Sequence, residues 1–303
     1  MTYFCIKFRA LKIIFLEFFF KKLSRLSDEY RLKTSYIFGH IIYIFLRKRV
    51  EVARKNLHAC FPDLNKKMIK ELLIEHCNTI ALSVIDRSIL WYGDPERIKS
   101  IVSIENINVI QDLIENKKKV MIFMPHLLGM DAAGTILSLN LQTMACVYRP
   151  SGDNELNYFV KKGRSRFNKT ILIANKNNIR KMLNHFSEYR PVVYLPDMDF
   201  GPKQSIFVPF FGIQTSTLTT TAIIAKKWDI TVVPMVPYID TKTGKYKVII
   251  MDPLKDFPGE LSVEEATTLL NNKIECWIRK APSQYYWIHR RFKTRPIGQK
   301  SLY

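Results

Sequence analysis

Metal-ligand spacings are missing from this chain. Its histidines, His40, His58, His76, His126, His185 and His289, form no HxxxH or HExxH pair, and its cysteines, Cys5, Cys60, Cys77, Cys146 and Cys276, form no CxxC. The first absence argues against a zinc site. An odd number of scattered thiols argues against a disulfide framework and for a reducing, cytoplasm-facing environment. No Pro/Gly/Ser-rich linker, internal repeat or low-complexity tract divides the 303 residues, a length that suits one large α/β domain with an appended N-terminal segment. An uninterrupted run of the ~20 predominantly apolar residues that a membrane span needs is also lacking. Acidic residues are outnumbered: 27 Asp and Glu against 47 Lys and Arg leave a formal charge of +20. Such an excess favours anionic partners, whether nucleic acid, acidic proteins or a phosphate-rich membrane surface.

What the chain does have is a short apolar run, Val120 to Met124, behind three lysines and ahead of Pro125 and His126. A continuous apolar run of this length reads as a strand covered on both faces. His126 then falls just past its carboxyl end, where open α/β sheets place their chemistry. Leu127 to Leu139 reads as a helix with Asp131 in or near its first turn. The reading predicts that the chain folds back there until the Asp131 carboxylate reaches the imidazole. His126 would then take a proton from a hydroxyl nucleophile while Asp131 fixes the ring tautomer and stabilises the imidazolium. The bland alternative is a histidine hydrogen-bonded at a strand end beside a first-turn acid that complements the helix dipole.

Two aromatic-rich apolar runs, Leu11 to Phe20 and Ser35 to Leu46, stand at the N-terminus. The first contains Lys12 and Glu17 and is flanked by Lys7, Arg9, Lys21, Lys22 and Arg25; the second is closed by Arg47, Lys48 and Arg49. Interleaved aromatics and cations predict helices lying in the headgroup layer or one tilted anchor, and so a membrane-associated segment over residues 1–46 ahead of a main domain over 47–303. Two core helices with a basic outer face are the alternative.

Beyond these, Val50 to Leu64 and the stretch after Asp63 or Asn65 carry helical apolar spacing. Further strands are expected at Val102 to Ile104, Thr143 to Tyr148, Thr170 to Ala174, Val192 to Leu195, Ile230 to Val236 and Tyr246 to Met251. Helices are expected at Glu105 to Asn116, Asn178 to Tyr189 and Thr215 to Trp228, and from a Ser262/Glu265 capping box to Ile278. Arg149, at a strand end, and Arg164 suit an anion clamp or oxyanion neutralisation. Asp197 and Asp199 follow another strand end, either to bind Mg²⁺ or to orient arginines. Phe207, Phe210 and Phe211, in a loop over Ile206 to Gly212, read as a wall for an acyl chain or as plain packing. Gln284 to Pro296 mixes aromatics with Arg290, Arg291, Lys293 and Arg295, which suits base stacking or an anionic lipid surface.

In this order and spacing, PHLLGMD, VYRP with Asn154 and GRSR, LPDMDFGPK with FVPFFG, and YYWIHRRFKTRP resemble the lauroyl/myristoyl acyltransferases of lipid A assembly, a lysophospholipid-acyltransferase-like family. The resemblance covers Arg47 to Tyr303, and RFKTRPIGQKSLY is most similar to lauroyl-type members. It implies a mixed sheet wrapped by helices, similar to glycerol-3-phosphate acyltransferase. It also implies a bacterial inner-membrane enzyme facing the cytoplasm, needing no cofactor or metal, that moves a lauroyl or myristoyl chain from acyl-acyl carrier protein to a 3-hydroxyacyl chain of the Kdo-bearing lipid A precursor. Acyl carrier protein, that precursor and membrane phospholipids are the implied partners, and nucleic acid is not. Its H-x4-D/E dyad maps onto His126 and Asp131, its substrate-positioning arginines onto Arg149 and Arg164, and its third block onto Asp197 and Asp199. Asp131 stands where many relatives have glutamate. The competing readings are an acyltransferase on another lysolipid and a non-catalytic basic protein that binds membrane surfaces or nucleic acid.

Overall fold

The computed structural model describes residues 2–174 and 178–303, without the side chains of residues 2–12 and 178. The positions of Cys5, Lys7, Arg9 and Lys12 side chains therefore lie outside the described residues. In chain order the elements are α1 (Thr2–Leu23), α2 (Asp28–Phe45), α3 (Arg47–Cys60), α4 (Lys66–Tyr92), α5 (Pro95–Ile101), β1 (Val102–Glu105), α6 (Ile107–Glu115) and β2 (Val120–Phe123). Then come α7 (Met130–Asn140), β3 (Thr143–Tyr148), α8 (Asn154–Arg164), β4 (Lys169–Ala174), α9 (Asn178–Ser187) and β5 (Val192–Tyr194). A hairpin, β6 (Ser205–Phe210) and β7 (Ile213–Leu218), leads to α10 (Thr220–Trp228), β8 (Thr231–Asp240), β9 (Lys245–Ile250) and α11 (Val263–Lys280).

Seven strands make one sheet in the order β1-β9-β8-β2-β5-β3-β4. Only β8 and β9 pair antiparallel; the other neighbours are parallel, so the sheet is mixed, as expected. All four residues of β2 are buried, which is why its sequence is continuously apolar rather than alternating. Helices cover both faces. Ile136 and Leu137 of α7, Leu90 of α4 and Phe159 of α8 pack against Ile122, Val193 and Met144 on one side. Met182 and Phe186 of α9 and Ile224 of α10 pack against Met121, Ala145 and Val192 on the other.

The anticipated strands are all present, and Asn65 caps α4 by accepting from Lys67 N and Met68 N. The capping box of Ser262 and Glu265 starts α11. Three expectations fail for physical reasons. Residues 206–218 form a hairpin, not a loop entering a helix, because Phe211 and Gly212 both adopt positive φ (51° and 73°), the two-residue turn that matches strand twist. The β-branched Thr215 and Thr217 bury in β7, and the helix waits until Thr220. The phenylalanine wall is packing: Phe210 and Phe211 meet Tyr285, Trp287, Phe292 and Phe61 in a separate core. Much of the basic-aromatic tail is interior too, with Tyr285, Trp287, Arg291 and Phe292 each at most 1% exposed, so these three rings are not offered to bases or lipid, while Tyr286 stays half-buried.

α2 is tied into the body. Arg31 Nη1 donates to Asp86 Oδ2 (2.7 Å) and to Gly244 O (3.0 Å), and Tyr246 Oη donates to the same Asp86 oxygen at 2.5 Å. Gly39 lies against Asn78 of α4, where a Cβ would collide. Ile14, Phe15, Phe18 and Phe19 of α1 and Tyr36, Ile37, Phe38, Ile41, Ile44 and Phe45 of α2 are nonetheless exposed. Among the described residues no helix is long and apolar enough to cross a membrane.

Candidate active site

The chain leaves β2 through Pro125 and does not enter the helix at once. Leu127 bridges to Tyr285, Leu128 N donates to Gln284 O (2.8 Å), and Tyr286 N donates to His126 O (3.0 Å). α7 starts only at Met130, after Gly129, whose Cα faces Pro237 so closely that a Cβ would meet the proline ring at 2.9 Å. The C-terminal tail thus fixes His126 at the carboxyl edge of the sheet, where the sequence put it.

Asp197 then grips His126 twice. Its Oδ2 accepts the His126 backbone N–H at 2.9 Å, and its Oδ1 lies 2.6 Å from Nδ1. The Asp197 side chain is fully buried and that of His126 is 21% exposed. Burial alone would push the Asp197 carboxyl up, but the His126 ring, its two hydrogen bonds and the Arg291 charge hold it below the ordinary carboxylate range. An ionised acceptor on Nδ1 assigns the proton to that nitrogen and leaves Nε2 as the free base.

Asp131, expected to do this, does something else. Its Oδ2 accepts Arg87 Nε at 2.9 Å and its Oδ1 accepts Arg164 Nε at 2.8 Å. Burial opposes the charge, but the two guanidinium groups outweigh it and hold Asp131 far below the usual range. The first-turn position on α7 aims its carboxylate across to α4 and the end of α8. Asp197 reaches the ring from the other side of the strand end. The expected Asp131–imidazole contact is therefore replaced by an Asp197–imidazole contact and an Asp131–arginine cluster. Arg87 was not singled out in the sequence, since it lies 44 positions from Asp131 inside a helix that reads as scaffold.

Asp199 is committed to the tail. It accepts Thr294 N (2.7 Å), Thr294 Oγ1 (2.9 Å) and Gly201 N (2.8 Å), and its own N–H donates to His289 Nε2 (3.2 Å). With Asp197 on His126, the two carboxylates do not converge on one point, and among the described residues no cluster of His, Cys, Asp and Glu could hold a metal ion.

His126, Asp131, Arg149 and Arg164 all border one cavity of about 610 Å³. Met130, Gly134 and Thr135 of α7, Met144 and Cys146 of β3 and Thr170 of β4 line it. It follows β3 from Tyr148 back to Met144, a depth of roughly 13 Å at a strand's rise. Arg149 and Lys203 stand exposed at its border. Phe200, Leu195 and Leu218 supply the apolar wall that the hairpin phenylalanines do not. A cavity of this size, lined by apolar side chains and a smaller number of polar ones, suits a flexible chain with its reactive head at His126.

Residues 1–294 match the family model described as bacterial lipid A biosynthesis acyltransferase. The lipid A biosynthesis palmitoleoyltransferase of Escherichia coli (strain K12) is 28% identical over 260 residues, spanning 86% of this chain and 83% of its own. The lauroyltransferase of the same organism is 27% identical over 266 residues (88% and 86%), and its myristoyltransferase 27% over 250 residues (82% and 76%). A solved structure, the 1-acyl-sn-glycerophosphate acyltransferase PlsC of Thermotoga maritima, aligns with 84% of this chain and 97% of its own at 13% identity and a TM-score of 0.39.

Proposed function

The chain belongs to the bacterial lipid A biosynthesis acyltransferases, and from that premise we propose that it carries a fatty acyl chain from acyl-acyl carrier protein to a 3-hydroxyacyl chain of the Kdo-bearing lipid A precursor. The observation that carries the reading is the His126–Asp197 pair at the edge of a chain-sized cavity. His126 Nε2 takes the proton of the acceptor hydroxyl as its oxygen attacks the thioester carbonyl. The tetrahedral intermediate collapses, the carbon–sulfur bond breaks, and the departing thiolate receives that proton from the imidazolium. Asp197 holds the tautomer and stabilises the imidazolium.

The N–H groups of Leu128 and Met130 are already bonded to Gln284 O and Leu127 O, so the arginines are the better candidates for the developing oxyanion. Asp131 serves Arg164 at the cavity: it neutralises and orients that guanidinium with one oxygen while its other oxygen holds Arg87. Arg149 and Lys203 attract an acidic carrier and a phosphorylated acceptor. Lauroyl and myristoyl remain the proposed chains. An inner-membrane location with the site on the cytoplasmic face follows from the substrates proposed and from the exposed apolar faces of α1 and α2.

The test is mass spectrometry of lipid A from cells lacking and regaining the protein, with turnover of the purified enzyme alongside. One added acyl mass on lipid A is expected. His126→Ala and Asp197→Asn should each lose roughly 10²- to 10⁴-fold in turnover with the fold kept. Asp131→Asn should lose activity together with Tm, since two half-buried cations lose the charge of the buried carboxylate between them. Wild-type turnover by His126→Ala would end the mechanism; a mass gained on phospholipid instead would redirect the acceptor to a glycerolipid.

A further inference from the structure

Asp131 holds two guanidinium groups where one would balance its charge. Arg87 of α4 and Arg164 of α8 each spend only Nε on it, at 2.9 and 2.8 Å. Their four Nη atoms have no hydrogen-bond partner among the described residues and none of the four is buried, although the two side chains are only 28% and 26% exposed. The cluster is left with one positive charge and two open guanidinium edges, half withdrawn from water, where an anion is held more strongly than at a solvated surface. Acids on the adjoining elements are engaged elsewhere. Asp86, next to Arg87 in sequence, is bonded to Arg31 and Tyr246, and Glu17 of α1 is bonded to Lys162 and Tyr158.

Tight packing brings these two cations together. α8 approaches α4 so closely at Gly163 that a Cβ there would fall 2.3 Å from the Trp91 ring, and the Trp91 Nε1 is buried without a partner. Arg164 follows Gly163 directly. Arg87 lies one turn before Trp91, its guanidinium 5.7 Å from that ring's centre. Arg164 borders the cavity and Arg87 stands outside its lining, so the cluster straddles the cavity wall.

We propose that Arg87, with the Arg164 edge beside it, binds a phosphate ester carried by one of the two substrates, holding that group outside the cavity while the acyl chain lies within. A planar guanidinium edge donates two parallel N–H bonds, the pattern that phosphate accepts, and phosphate has oxygens enough for both edges where a carboxylate has two. Two molecules of the proposed reaction bear such a group: the phosphorylated acceptor, and the carrier, whose acyl thioester hangs from a phosphodiester. The inference rests on the acyl-transfer reading for which molecule brings the phosphate, not for the binding of phosphate itself.

The first arm of the test needs no acyl transfer. Inorganic phosphate, compared with chloride at equal ionic strength, should raise the Tm of the purified full chain. Arg87→Gln should lose most of that rise, while Lys70→Gln, which removes an exposed charge from the same helix, should keep it. The second arm compares acceptors with and without phosphate, and donor thioesters with and without the phosphodiester. Arg87→Gln should raise the KM of the phosphate-bearing form of one substrate by about 10- to 100-fold, and leave the KM of its phosphate-free form unmoved. The substrate that responds is the source. Arg87→Lys, which keeps a charge on Asp131 but offers a point in place of a planar edge, serves if the glutamine variant fails to fold, and it too should lose most of the phosphate response. A wild-type response to phosphate in the Arg87 variant, or a KM change indifferent to phosphate on both substrates, would overturn the proposal, because neutralising Asp131 would then explain the residue. Loss of the phosphate response in the Arg87 variant, with no acyl transfer in any form of the protein, would refute the acyl-transfer reading and leave the phosphate site standing.

Discussion

Gly134 shows what a single residue does in this site. It lies on the cavity side of α7, one turn beyond Asp131, and a Cβ built on it meets nothing within 4 Å. A glycine inside a helix costs about 1 kcal/mol against alanine, and neither positive φ nor close approach of backbone explains this one. Under the acyl-transfer proposal, space for a substrate does. Gly134→Leu should therefore stabilise the helix slightly while shifting the preferred donor to shorter chains, read as the lengths of acyl groups transferred from a mixture of donors. Unchanged chain selection would mean that the chain lies elsewhere. The carboxylates carry the complementary lesson. The sequence placed His126 at the sheet edge correctly because a buried strand ending in Pro125 permits little else. It assigned the nearer carboxylate to the ring, yet Asp197, 71 positions away, makes the contact. Proximity along the chain says nothing about which side of a strand end a carboxylate faces, and Asp131 is turned away by two arginines, one of them on α4.

Elements were legible wherever burial on both faces forces a continuous apolar run, as in β2, β3 and β5, and wherever a cap closes a helix, as at Ser262. They were illegible where threonines suit both a strand and a helix start, as in β7, and where cations sit among aromatics, since Arg291 in the core and Arg290 at the surface look alike in sequence. The same ambiguity attends α1 and α2, and here exposure decides. Ile14 and Phe18, and Phe15 and Phe19, repeat at the four-residue spacing that puts them on one face, and all are at least 49% exposed. Lys21, Lys22, Arg25 and Arg47 to Arg49 are exposed beside the two apolar faces. Such faces suit the headgroup layer that the proposed location requires. Phe15→Ser with Phe18→Ser should weaken sedimentation with anionic phospholipid vesicles by roughly 10²- to 10⁴-fold, since each ring contributes on the order of 1.5–3 kcal/mol when buried. Release of the unmodified protein by salt alone would show that charge, not apolar insertion, holds it.

At the scale of the whole molecule, a chain with formal charge +20 gains positive charge as it is acidified, and self-repulsion grows with it. Two buried histidines add a specific cost. His76 is fully buried with Nδ1 donating to Ser283 O at 2.7 Å, and burial drops its pKa to about 4. His289 must stay neutral to accept Asp199 N–H, and burial drops it to about 4 as well. Both groups titrate near 6.5 in the unfolded chain, so their contribution is intact above that pH and is lost as pH falls toward 4, by up to roughly 3 kcal/mol each. Asp86 works in the opposite direction: burial raises it to about 6 despite Arg31, so between its unfolded value and 6 it favours the folded state as pH falls. Unfolding should thus take up roughly 0.4 of a proton at pH 7, about one between pH 6 and 5, and less again toward pH 4. The denaturation midpoint should then fall gently on leaving neutrality and more steeply between pH 6 and 5. His76→Gln should remove most of the slope between pH 6 and 5, where Asp86 then offsets His289; a midpoint independent of pH from 7 to 5 in the unmodified protein would contradict the assignment of both histidines as neutral in the fold.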